Sequence, residues 1–97
     1  MRVRSKHYRD YGVTDEEKDR IIKFCRSATK EDQEVIKWAL KELDPYIADV
    51  LFLSLTKGLS YDRLGYVAMS KVDFYGYRRK GIEAIKRYMI MHGMKFL

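Results

Sequence analysis

From Ser70 to Glu83 the chain reads Ser-Lys-Val-Asp-Phe-Tyr-Gly-Tyr-Arg-Arg-Lys-Gly-Ile-Glu, three aromatic rings followed by three consecutive bases. Arginine forks onto the edge of a guanine, a tyrosine meets a thymine methyl or a phosphate, and flanking lysines neutralise backbone phosphates. On a helix, the apolar series Phe74, Tyr77, Gly81, Ile85 and Met89 faces inward. That arrangement leaves Val72, Tyr75, Gly76 and Arg79 outward with Lys71 beside them, and Arg78 and Lys80 on the flanks. Gly76 then removes bulk where such a helix meets a groove floor, and Glu83, farther along the same face, opposes phosphates. Contact is therefore expected in the first two turns, Lys71 to Lys80. Lys71, Tyr75 and Arg79 are the candidate base readers, and Arg78, Lys80, Ser60 and Tyr61 the candidate backbone contacts.

Other chemistries find little support. Cys25 is alone among Ile21, Ile22, Phe24 and Ala28, the setting of a buried thiol. His7 and His92 lie at opposite ends, so no metal site is expected, and no cofactor motif appears. Asp15, Glu16, Glu17, Glu31, Asp32 and Glu34 stand at helix starts, where capping and the macrodipole account for them. An enzyme is not expected.

The elements that must position the basic run are helices. Six glycines and one proline in 97 residues are too few for a sandwich or barrel, and the length suits one all-α domain of about five helices. Residues 1–13, with Arg2, Arg4, Lys6 and Arg9, show no period and read as a basic N-terminal arm. Residues 14–97 read as a single helical domain. The first helix starts at Thr14, whose Thr-Asp-Glu-Glu is a capping box, and buries Ile21, Phe24, Cys25 and Ala28. Thr29 caps the second, with the stripe Val35, Ile36, Ala39, Leu40 and Leu43 and Trp38 at its margin. Asp44-Pro45 opens a third, from Pro45 to about Lys57, which is so apolar that it is expected at the centre of the core. Gly58 ends it. Ser60 caps a short fourth helix from Tyr61 to about Val67, and Ser70 caps the fifth, so that residues 59–92 have the outline of a helix-turn-helix with a long basic recognition helix.

Charge is segregated in the same sense. Residues 1–13 carry +3, residues 14–58 carry −2 and residues 71–97 carry +5, within a net charge of +6. Bases gathered at both ends suit a polyanion such as double-stranded DNA. No apolar signal segment or membrane-length run is present, so a soluble cytoplasmic protein with no membrane partner is expected.

The stretch from Asp44 to Ile85 resembles region 4 of sigma-70-type factors. Both have an apolar helix, then a Gly-Leu-Ser-Tyr-acid step (Gly58 to Asp62), then a turn with Ser before the recognition helix. Ser70 to Glu83 is similar to the last helix of ArpU/RinA-type phage transcriptional regulators. The resemblance implies a sequence-specific regulator of phage, prophage or mobile-element transcription. The chain departs from the sigma form in a turn one residue shorter, Ala68-Met69-Ser70, and in Gly65, where the fourth helix usually carries alanine. A regulator of this kind is expected to act as a homodimer or with RNA polymerase, with Tyr88, Met89, Ile90, Met91 and Phe96 as candidate contacts. Two other functions fit the same residues: a sigma-like interaction module that does not read DNA, and a DNA packaging or recombination accessory.

Overall fold

The computed structural model describes residues 6–94, and within them the chain forms four α-helices and three short 3-10 turns with no strand. The helices are α1 (Asp15–Arg26), α2 (Lys30–Ala39), α3 (Pro45–Lys57) and α4 (Lys71–Met91). Their starts are set locally. The Thr14 and Thr29 hydroxyls accept from the N–H groups of Glu17 and Asp32, whose carboxylates accept in return from the cap residues. Asp44 accepts from the Tyr46 N–H beside Pro45, and Ser70 Oγ accepts from the Asp73 N–H. Each such cap satisfies donors that the first helical turn leaves open.

The central element is α4, not α3. α4 packs against α1, α2 and α3 and against all three 3-10 turns. It buries Phe74, Gly81, Ile82, Ala84, Ile85 and Met89 over most of its length. α3 buries only Leu51, Ser54 and Leu55 and leaves Leu53 and Tyr46 exposed. Its high apolar content therefore serves two surfaces, a core face and an outer one. Ile21 and Cys25 of α1 and Ile36, Ala39, Leu40 and Leu43 around the end of α2 complete the core.

The expected fourth helix is a single 3-10 turn, Tyr61–Arg63. Gly65 follows at φ +84°, a left-handed conformation that stops a helix. The segment is then pinned as a loop: Tyr61 O–H donates to the Met69 carbonyl at 2.6 Å, and the Ala68 N–H donates to Tyr46 Oη at 2.8 Å. α4 is thus preceded by a loop held from α3 rather than by a partner helix.

The described part of the N-terminal segment, residues 6–13, is packed rather than extended. A 3-10 turn at Tyr8–Tyr11 lies on α4, and Val13 is buried in the core. Arg2 and Arg4 of the expected arm lie outside the described residues.

Candidate nucleic-acid interface

The nine residues singled out from the sequence do not share one surface. Lys71 and Val72 are exposed at the start of α4, but Lys71 Nζ is paired with Asp62 at 3.0 Å, and that hydrogen bond holds its pKa above the ordinary lysine value. Gly76, expected outward, is buried. Tyr75, Tyr77, Arg78, Arg79 and Lys80 are all half-buried.

The cover over the expected reading face is the N-terminal segment. Tyr8 lies against Arg78, which hydrogen-bonds its phenol, and Tyr8 and Tyr11 both feel the charge of Arg79; burial raises the pKa of both phenols although nearby positive charge opposes the shift. Arg79 Nε and Tyr11 Oη are buried without a hydrogen-bond partner among the described residues. Lys86, one turn below Glu83, fastens the cover: its ammonium donates to the Gly12 carbonyl at 2.7 Å and to Glu17 at 2.9 Å. A helical wheel shows which positions α4 turns away from α1, α2 and α3, but not that another segment lies over them. Gly76 is therefore buried and Arg79 half-covered, where the helical wheel places both outward.

Ser60, Tyr75 and Arg78 do converge, in a cleft of about 330 Å³ between the end of α1, the end of α3 and the first half of α4. Arg26, the last residue of α1, joins them there. Its guanidinium lies over Gly58, so closely that a Cβ at that position would overlap it. Gly58 thus has two functions: at φ +67° it ends α3, and its missing side chain makes room for Arg26.

The loop that borders the cleft is tied to α3 and α4. Ser54, buried in α3, donates its hydroxyl proton to the Leu59 carbonyl at 2.7 Å and fixes the loop 58–60. The Tyr61 N–H donates to Tyr75 Oη at 3.3 Å, which leaves the Tyr75 hydroxyl proton to donate elsewhere. Ser60 makes no side-chain capping bond. Behind the wall lies Cys25, whose thiol burial pushes up to about 12 against the opposing charge of Arg78.

No acidic residue lines the cleft, and neither Arg26 nor Arg78 has a carboxylate partner among the described residues. Arg78 was visible in the sequence as part of the basic run, whereas Arg26 was missed. The signal available was local: neither arginine has an acid three or four residues before it, whereas Arg87 has Glu83, which it grips at 2.7 Å. Arg26, left without such a partner at the exposed end of α1, is available for an outside anion.

A second cavity, about 440 Å³, runs between α2 and α3 over Leu40, Leu43, Ala48 and Phe52. Trp38, 55% exposed, stands near it with Lys41 Nζ 3.8 Å from its ring centroid, and Lys37 lies over Phe52 at 5.2 Å. Among the described residues no three His, Cys, Asp or Glu side chains gather as a metal would require, and no helix is long and apolar enough to cross a membrane. No known family model, curated protein or solved structure matches the chain.

Proposed function

We propose that the protein binds double-stranded DNA as a transcriptional regulator and grips the phosphate backbone through the Arg26–Arg78 cleft. The observation that carries this reading is the convergence of two arginines from separate helices, without a carboxylate between them, beside Ser60 of the 58–60 loop and Tyr75 of α4. Charge-assisted bonds from guanidinium to phosphate are strong and geometrically selective. The regulatory role and a phage or mobile-element origin rest on the likeness of Ser70–Glu83 to ArpU/RinA-type regulators. Base reading, on this view, is confined to the first turn of α4, where Val72 is exposed and Lys71 must exchange Asp62 for a base or phosphate. Phosphate contacts orient the protein, and those few side chains supply the choice of sequence.

The test is selection of duplexes from a random pool, followed by affinity measurement on the recovered sequence at physiological salt. A recurring motif is expected, and Arg26→Ala, at an exposed position, is expected to weaken binding about tenfold while Arg79→Ala has little direct effect on contact. Equal affinity of wild type and Arg26→Ala would remove the cleft from the interface. Recovery of no motif with retained binding would reduce the function to non-specific association.

A second reading is favoured by the groove between α2 and α3. Its apolar floor and the exposed Trp38 suit an interaction module that docks on RNA polymerase or another regulator. Binding of that kind survives Arg26→Ala and high salt and is lost on Trp38→Ala.

A further inference from the structure

The Arg26–Arg78 cleft has more order than a basic patch requires, and its donors can be counted. Arg26 presents a guanidinium fork, Arg78 has donors beyond the one that meets the Tyr8 phenol, Tyr75 has a hydroxyl proton left after accepting from Tyr61, and Ser60 has a hydroxyl outside any cap. Four side chains that donate, with no carboxylate among them, call for one ligand with several acceptor oxygens and negative charge. A carboxylate offers two oxygens on one edge. A phosphate group offers them in a tetrahedron, which suits donors that come from three separate parts of the chain, α1, α4 and the 58–60 loop.

We infer that this cleft is a discrete phosphate seat, in which Arg26 and Arg78 bind a single phosphate group and Gly58 is the residue that admits the Arg26 guanidinium. The inference deepens the DNA-binding reading and rests on it for the source of the phosphate. The volume of about 330 Å³ exceeds what a bare ion fills and leaves room beside the phosphate for the sugar it carries. Ile22, Leu55 and Leu59 supply the apolar part of the wall that a deoxyribose face would meet. The Ser54 bond to Leu59 keeps the loop in its binding geometry before the ligand arrives, so little ordering is needed on binding.

Gly58 makes the claim specific. Alanine there overlaps the Arg26 guanidinium, which sits at the free end of a flexible side chain and swings out of the cleft. Gly58→Ala is therefore expected to reproduce the loss caused by Arg26→Ala although Arg26 is still present. A merely diffuse basic surface would not respond to a methyl group on a glycine.

The experiment is a titration of the full chain with inorganic phosphate at constant ionic strength and pH 7.5, followed by amide NMR. Expected are saturable shifts at Leu59, Ser60 and Tyr61, and an affinity at least fivefold weaker in Arg26→Ala and in Gly58→Ala, with Lys30→Ala unchanged. Because Gly58→Ala strains a left-handed position, Ser60→Ala is the gentler variant and is expected to weaken binding two- to threefold with native amide dispersion. Shifts that do not saturate, or that are equal in all four variants, overturn the seat. Duplex binding is measured in parallel with and without 5′-phosphates. Equal affinity assigns the seat to an internal phosphodiester, and a requirement for the 5′-phosphate assigns it to a strand end. Phosphate binding lost in the variants, with no duplex binding at all, keeps the seat and overturns the DNA reading. Duplex binding that is indifferent to Arg26 and Gly58, with no phosphate shifts, does the reverse.

Discussion

Lys86 joins three parts of the chain through one ammonium group, by bonding the Gly12 carbonyl and the carboxylate of Glu17 from its place on α4. Glu17 also completes the Thr14 cap, and the Thr14 N–H together with Lys86 holds its carboxyl below the ordinary glutamate range. A carboxylate whose folded pKa is depressed stabilises the fold above its unfolded pKa, and the contribution disappears as pH falls through the folded pKa. Glu17→Gln keeps an acceptor for the cap but loses the charge, so it is expected to destabilise by about 0.5–1 kcal/mol at pH 7. In urea denaturation that difference stays constant above about pH 5.5 and shrinks below about pH 4.3, the ordinary glutamate pKa. A difference that persisted at pH 3 would mean that Glu17 acts by shape alone. Cys25 gives a second prediction at this scale. With a thiol pKa pushed up to about 12 and full burial, only about one molecule in ten thousand is thiolate at pH 8, and it faces the core. Alkylation should therefore follow global unfolding, and a rate independent of added urea at low concentration would contradict that burial.

The helices differ in how far their residues alone foretell them. The starts of α1, α2, α3 and α4 were legible because a cap is a local device: Thr14, Thr29, Asp44 and Ser70 each act within three residues. The fourth helix was not, because its Ser60 cap and periodic apolar residues compete with Gly65 and with the Tyr61 and Tyr46 hydroxyls that tie down the following loop. The candidate site was half legible. Arg78, Tyr75 and Ser60 were found from the basic run and the cap, while Arg26 depends on how α1 lies beside the end of α3. The centrality of α4 also depends on packing, and Gly81 shows how close that packing is. A Cβ on Gly81 would stand 3.0 Å from Leu51 Cδ1 and 3.1 Å from Leu40 Cδ2, both on side chains almost wholly buried. Alanine would gain up to about 1 kcal/mol in helix propensity, against about 1–3 kcal/mol for overpacking. With two buried leucines to displace, the packing cost prevails, and Gly81→Ala is expected to lower stability by about 1 kcal/mol in chemical denaturation. A stabilised Gly81→Ala would show that α3 and α4 have room to separate.

Across the whole molecule, charge is sorted by what each base already holds. Lys18, Arg20, Lys37, Lys71, Lys86 and Arg87 are engaged with carboxylates. Among the described residues Arg26 and Arg78 are not, nor are two bases that neighbour the cleft in sequence, Lys23, one turn before Arg26 on the same helix face, and Lys57, next to Gly58. The described residues span 34 Å along the longest axis, close to the ~34 Å of one duplex turn, so these four bases lie within the span of a single site. If each neutralises one phosphate, counterion release gives a slope of log affinity against log salt of about −3.5, or roughly a hundredfold loss between about 50 and 200 mM salt. Arg2, Arg4 and Lys95 can only steepen that slope. The measurement is equilibrium binding of a labelled duplex across that salt range with wild type and Arg26→Ala. The variant is expected to be shallower by about 1, because one phosphate contact is gone. A wild-type slope shallower than about −2 would mean that the bases of the cleft do not meet the backbone. An unchanged slope in Arg26→Ala, with the wild-type value steep, would locate the contact on other bases of the chain.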